Sequence, residues 1–103
     1  MQIQIHAQGI ELPDPLRGFT ERYLNETLER HTERLTRVEV FFKDQNSSQK
    51  NGIDKHCLVE ARPRGMDPIA AQHDATEFRD AMHHAVQKLT RALEHRFDKR
   101  RTY

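Results

Sequence analysis

Residues 78–97 read FRDAMHHAVQKLTRALEHRF. At about 100° per residue, this segment forms a helix with one apolar side and one basic side. The apolar side consists of Phe78, Met82, Ala85, Leu89, Leu93 and Phe97. A neighbouring arc of roughly 80°, which we call the basic ridge, consists of His84, Lys88, Arg91, His95 and Lys99. Such a helix packs on a core and still offers cations to a polyanion, although a stripe of this kind is also the ordinary solvated face of an amphipathic helix.

This helix carries signals at both of its ends. Thr76 or Asp74 is expected to cap its start, because a short polar side chain there accepts a hydrogen bond from a free amide. Glu77 and Asp80 lie near the positive end of the helix dipole, and residues 99–101, KRR, lie near the negative end. The sequence therefore predicts a basic C-terminal end from about residue 99.

Four strands are predicted upstream of this helix. Residues 2–7 alternate strictly between polar and apolar, which indicates a strand covered on one face. Residues 37–43 follow the same pattern, and the two inward sets are Ile3, Ile5 and Ala7, and Val38, Val40 and Phe42. Residues 56–62 and 68–73 form the other two strands. The last one is expected at a sheet edge, because Pro68 cannot donate to a ladder.

Polar segments separate the last three predicted strands and are expected to be loops and turns. Residues 44–54 are polar and contain Gly52, so they predict a mobile connection, and residues 63–67 predict a turn. Phe41 would lie on the open face of the sheet. There it would either pack on a cross-strand neighbour or stack on a base or a partner.

A first helix is predicted between the first two strands. Asp14 is expected to cap it and Pro15 to occupy its first position, where no amide donor is lost. The pattern then continues to about His31. Its inner face consists of Leu16, Phe19 or Thr20, Tyr23, Leu24, Thr27 and Leu28.

These elements predict an α+β fold with the order β-α-β-β-β-α, formed by one domain over residues 1–103. The first two strands should be parallel and the remaining strands antiparallel, giving a four-stranded mixed sheet with both helices on one face. This arrangement is similar to that of a double-stranded RNA-binding module. That module, however, has the order α-β-β-β-α and lacks the N-terminal strand.

Composition limits the possible functions. The 103 residues include 17 basic and 16 acidic ones, for a net charge of +1, so polyanion binding would depend on the distribution of charge. The single Cys57 lies in an apolar run and is expected to be a buried, reduced thiol. Neighbouring His83 and His84 point about 100° apart on a helix and cannot share a metal ion. We expect no metal, no cofactor, no small-molecule substrate and no enzyme activity.

Cellular context is predicted from the same sequence. No apolar run is long enough to span a membrane, and the N-terminus lacks a charged segment followed by an apolar segment, as in a signal peptide. The protein is therefore expected to be cytoplasmic, without a membrane partner.

The chain as a whole resembles the ribosome hibernation factors, the family of short hibernation-promoting factor and ribosome-associated inhibitor A. The resemblance rests on five segments in order: MQIQI at 1–5, IEL at 10–12, LR at 16–17, LTRVEV at 35–40 and KLTRAL at 88–93. The chain departs from the family at residues 79–83, where RDAMH replaces the usual Tyr-Ala-Ala-Ile-Asp. The loop and third strand resemble a divergent branch of the family.

The resemblance implies a bacterial, non-enzymatic protein of β-α-β-β-β-α fold. Family members occupy the mRNA and tRNA channel of the small ribosomal subunit, touch its rRNA with basic residues and hold ribosomes inactive under stress. Lys88 and Arg91 match basic residues of the family's last helix, and Arg17 matches one early in the first helix. Because the sequence stops near Tyr103, the resemblance leads us to expect the short form, without the C-terminal domain by which long members pair ribosomes.

Two functions are compatible with these patterns. In the first, a ribosome-associated factor binds rRNA, and not DNA. Phosphates would contact Lys88, Arg91, His95, Lys99, Arg100 and Arg101, with His84 in the same ridge and with Lys43, Arg62 and Arg64 extending the patch from the sheet and its turn. In the second, the protein is an interaction module that uses its open sheet face or an edge strand. Salt should weaken the first kind of binding much more than the second.

Overall fold

The computed structural model describes residues 1–45 and 52–101, apart from the side chains of Arg100 and Arg101. Its strands are β1 (Gln2–Gln8), β2 (Leu35–Asp44), β3 (Lys55–Pro63) and β4 (Ile69–Ala75). Its helices are α1 (Asp14–Thr27) and α2 (Phe78–Arg101), with a 3-10 helix over Glu29–Arg34. The predicted element order is thus confirmed.

The four strands form one sheet in the order β1-β2-β3-β4. β1 pairs with β2 in parallel, and β2–β3 and β3–β4 are antiparallel. This mixed sheet follows from the connections, because two parallel neighbours need a long crossover, here one that contains α1, whereas short turns can join antiparallel ones. β4 is an edge strand, as Pro68 predicts, and β1 is the other edge.

Both helices cover one face of the sheet. The inward side chains of all four strands pack with those of α1 and α2 in a single core, and α2 lies mainly on β3 and β4. The predicted apolar side of α2 is confirmed, because Met82, Ala85, Leu89 and Leu93 are fully buried. The buried side is wider than predicted, since Ala81 and Val86 also belong to it.

The start of each helix differs from the prediction. Asp14 is the first residue of α1 and not its cap, because Pro13 is extended (φ −61°, ψ 142°) and its carbonyl accepts from the Arg17 amide at 3.1 Å. α2 begins at Phe78, so neither Thr76 nor Asp74 immediately precedes it. Asp74 instead lies in β4, where its carboxylate accepts a hydrogen bond from His56 Nδ1 at 2.6 Å.

The predicted end of the first helix at His31 is wrong. α1 ends at Thr27, and the chain tightens into the 3-10 helix, in which the His31 amide donates to the Leu28 carbonyl at 2.9 Å. Tightening of a last turn in this way satisfies terminal carbonyls. It also leaves Leu28 and Leu35, on either side of the 3-10 helix, fully buried in the core.

The connection between β2 and β3 is shorter than predicted. β2 extends to Asp44 and β3 begins at Lys55, and the Gln45 amide donates to the Asp54 carbonyl at 2.8 Å beyond them. Lys55 Nζ lies 3.0 Å from one carboxylate oxygen each of Asp44 and Asp54. The predicted mobility concerns mostly residues 46–51, which lie outside the described residues.

The Cys57 thiol is buried among the core side chains, as predicted. Burial in this apolar setting raises its pKa to about 12, because the thiolate loses its hydration.

We therefore expect Cys57 to resist thiol reagents in the native protein. With a pKa of about 12, only about one thiol in ten thousand is ionised at pH 8, and the thiolate is the reactive form. Colour release from a disulfide reagent should be absent in buffer and stoichiometric in denaturant. Rapid reaction of the native protein would contradict the burial of this side chain.

Candidate RNA-binding surface

The basic ridge lies on the solvent side of α2, next to the edge strand β4. All five of its residues are exposed. Because Leu89 and Leu93 fix the opposite side of the helix in the core, the orientation of the ridge is set by packing. The helix thus holds five cationic or titratable side chains along about four turns.

Lys88 connects the ridge to the sheet. Its Nζ donates to the Gln72 carbonyl at 3.2 Å and to His73 Nδ1 at 3.1 Å. An edge strand has unpaired backbone carbonyls, and Lys88 uses one of them. The ammonium group is therefore positioned over the β4 edge while its side chain remains exposed.

His73 joins the ridge from β4, and it was not among the residues predicted for this surface. Its ring centroid lies 4.6 Å from that of His84, which lies 5.5 Å from His83. The strand's two-residue period, counted from Ile69 through Ala71, places His73 on the helix side. That period was the signal available in the sequence.

Desolvation lowers the pKa of His73, and the positive charges of Lys88 and His84 lower it further, against an opposing effect of Asp74. A neutral ring also agrees with the geometry, because His73 Nδ1 accepts a hydrogen bond from Lys88. The cluster of His73, His84 and Lys88 is thus a site where added negative charge would be stabilised.

One acidic residue of this part of α2, Glu94, is turned to the 3-10 helix. Glu94 and Asp98 line a hollow together with Arg30 and Arg34 of the 3-10 helix, and Glu94 Oε2 accepts a hydrogen bond from Arg30 Nη2. Pairing with Arg30 reduces the repulsion that the Glu94 carboxylate would exert on a phosphate at the ridge.

The remaining predicted site residues do not form one patch with the ridge. Lys43 and Arg62 lie on the sheet face opposite the helices, and Arg62 Nη2 pairs with Glu60 at 3.2 Å. Arg64 lies in the β3–β4 turn, where its Nε donates to the Glu33 carbonyl at 2.9 Å. The sheet therefore separates Lys43 and Arg62 from the ridge, and the predicted extension of the patch does not form one continuous surface with it.

Arg17 lies in the helical layer. It is exposed on α1, which shares the covered face of the sheet with α2. Arg100 and Arg101 continue α2 beyond Lys99, and their contact with phosphate stays a prediction. Over the parts of the chain that the structure describes, no group of three metal-ligating side chains is close enough to hold an ion. No helix within these parts is long and apolar enough to cross a membrane.

Comparison with known families identifies a match over almost the whole chain. The model of the family described as sigma 54 modulation protein / S30EA ribosomal protein matches residues 3–101. No curated protein sequence matches the chain significantly.

Solved structures support the fold. A ribosomal subunit interface protein from Coxiella burnetii superposes with a TM-score of 0.66 at 20% identity, and the match covers 100% of both chains. The N-terminal domain of Thermus thermophilus Protein Y superposes with a TM-score of 0.72 at 16% identity, covering 92% of this chain and 98% of that one. At these identities, the likeness establishes the architecture.

Proposed function

We propose, from the premise that the chain belongs to the sigma 54 modulation protein / S30EA ribosomal protein family, that it binds small-subunit rRNA in the mRNA and tRNA channel. Association with the ribosome is what the family has in common. In this proposal the protein occludes the channel under stress, and so acts in the cytoplasm without catalysis.

The observation that carries the proposal is the alignment of the basic ridge with the β4 edge. Lys88 and Arg91 are exposed one helical turn apart, and the side chain of His73 from β4 lies beside Lys88 on the same surface. A rigid row of cations with this spacing can contact successive phosphates of a folded RNA. Such contacts depend on where the cations lie and not on the identity of the bases. The +1 net charge is compatible with this, because binding depends on the local distribution of charge and the nearby Glu94 carboxylate is paired with Arg30.

The fold supports a second contact in the same layer. Arg17 on α1 and the ridge on α2 belong to the helical side, whereas Lys43 and Arg62 belong to the opposite side. If the helical layer faces the rRNA wall of the channel, both Arg17 and the ridge would therefore contact that wall. The two open-face cations would point away from that wall.

Salt titration tests this function against the alternative interaction module. Binding to isolated small subunits should weaken steeply with salt, with a log–log slope of about −0.9 for each phosphate contacted. Four to six contacts would give a slope of about −4 to −5. A slope near zero would indicate an apolar interface and contradict the proposal.

Binding to small subunits should also tighten as the pH falls from about 8 to about 6. Phosphate stabilises imidazolium, so the complex binds more protons than the free protein does, and affinity rises as protons are added. His73 contributes to this, because desolvation, together with Lys88 and His84, lowers its pKa in the free protein, and a nearby phosphate would raise that pKa again. Each unit by which binding raises a histidine pKa strengthens binding by up to about tenfold.

Affinity measured against pH checks this expectation. The parent is compared with His84→Gln/His95→Gln and with His73→Gln, which keep polar side chains without titration in this range. The pH dependence should decrease in both variants. If both variants reproduced the parent's curve, histidine would be removed from the mechanism and the ridge would act through Lys and Arg alone.

A further inference from the structure

We propose that the open face of the sheet, opposite the basic ridge, binds one unpaired base of a single-stranded RNA in a hollow beside His6, Phe41 and Leu58. This site goes beyond the proposed function, which uses the helical layer. The choice of RNA rests on that proposed function, whereas the capacity of the hollow to bind a base does not.

The hollow lies over three neighbouring residues of β1, β2 and β3. His6 of β1 lies beside Phe41 of β2, and Phe41 lies beside Leu58 of β3. The rings of His6 and Phe41 are stacked, with centroids 4.8 Å apart and planes inclined by 17°. With Lys43 and His56 at its rim, these side chains surround an open cavity of about 420 Å³. The lining is thus an aromatic and aliphatic floor with polar groups around it.

The aromatic pair is held in place before any ligand arrives. His6 Nε2 donates to Glu39 Oε2 at 3.1 Å, and the other oxygen of Glu39 lies 2.9 Å from Arg37 Nε in an ion pair. The His6 side chain nevertheless keeps 46% of its surface exposed. A fixed and accessible ring is a suitable stacking surface, because little conformational freedom is lost when a base lies on it.

The charges of the face favour a nucleotide at this position. Among the described residues, the strands carry three carboxylates on this face, each with a basic partner: Glu39 with Arg37, Glu60 with Arg62, and Asp74 with His56. Lys43 is exposed, and its side chain has no ion pair with any residue that the structure describes. It lines the hollow, where its ammonium group can meet the phosphate of a base stacked beside Phe41.

The size of the apolar area favours a single base over a second copy of this chain. Phe41 and Leu58 are only partly exposed, and charged side chains of β2 and β3 surround them. A stable protein interface needs a much larger apolar centre. A stacked base needs only one planar surface and one cation, which is the arrangement of sheet-based readers of single-stranded RNA.

The test uses the full chain and a fluorescein-labelled uridine decamer, with fluorescence anisotropy as the readout. Phe41→Ala should weaken binding by about 5- to 150-fold, the range found when one stacking aromatic is removed. Phe41→Leu keeps apolar packing in the sheet but removes the ring face, so it should also weaken binding, whereas Phe41→Tyr should retain it. NMR shifts in the parent protein should map to His6, Lys43 and Leu58.

Several outcomes would overturn the proposal. Equal affinity of Phe41→Leu and the parent would exclude stacking, as would NMR shifts confined to α2. Concentration-dependent self-association of the parent that Phe41→Leu abolishes would assign the face to a second copy. Ribosome binding tested with Lys88→Ala/Arg91→Ala is measured separately, so a failure of this site and a failure of the proposed function are distinguishable.

Discussion

Leu89→Ala is expected to lower the free energy of unfolding by roughly 2–5 kcal/mol. Leu89 is fully buried on the side of α2 that faces β3 and β4. Removing its isobutyl group leaves a cavity, because helix and sheet close it only partly. Urea unfolding followed by circular dichroism measures the change, which should appear as a lower midpoint with an unchanged slope.

Two further variants, Phe97→Ala at a buried position and Arg91→Ala at an exposed one, test the orientation of α2. Phe97 is also buried, its ring lies 5.3 Å from that of His31, and the Arg34 guanidinium lies 4.5 Å from its centroid. The destabilisation by Phe97→Ala should be large but smaller than that by Leu89→Ala, because Phe97 lies closer to the fraying end of α2. Exposed Arg91→Ala should change stability by at most about 0.5 kcal/mol. Equal midpoints for all three variants would contradict the orientation of α2.

Replacing Lys88 and Arg91 together by Ala should weaken binding to small subunits by roughly ten- to hundredfold at physiological salt and leave the fold intact. Because two phosphates would no longer be neutralised, the salt slope should also become shallower by about two. The Lys88→Ala change additionally removes the hydrogen bonds to Gln72 and His73, which are exposed and contribute little to stability.

Arg22→Ala/Arg79→Ala is the matched control for this pair. It also removes two positive charges, one from α1 and one from α2. Arg79, however, lies on the other side of α2 from the ridge, with its guanidinium 4.1 Å from the Phe19 ring centroid. Non-specific attraction would weaken equally in both double variants. A loss of affinity confined to the Lys88 and Arg91 variant would place the contact on the ridge, and equal losses in both variants would show that the ridge is not the binding surface.

Much of this fold follows from periodicity in the sequence. The 3.6-residue period of residues 78–97 predicted the buried side of α2, and the two-residue period predicted the inward faces of β1 and β2. Phe41 was placed on the open face, and its cross-strand neighbour is His6. These features are local, because each depends on which side of one element is apolar.

Other features depended on contacts between distant segments. The 3-10 helix replaced the end of the first helix because Leu28 and Leu35 must both enter the core. His73 joined His84 only when α2 lay across β4. Lys43 and Arg62, which were predicted to extend the basic patch, are a local exception, because the two-residue period of their own strands places them on the face opposite the ridge. One-dimensional patterns contain no information on which elements become neighbours in space.

Sedimentation with ribosomes is the measurement that decides whether this protein binds the small subunit. Ribosomes from growing and from starved cells, and their separated subunits, are mixed with the full chain and run on sucrose gradients. We expect the protein to move with small subunits and with ribosomes that contain them, to stay at the top of gradients of separated large subunits, and to be released by added salt. Protein that stays at the top in every gradient, or that follows large subunits alone, would contradict binding to the small subunit.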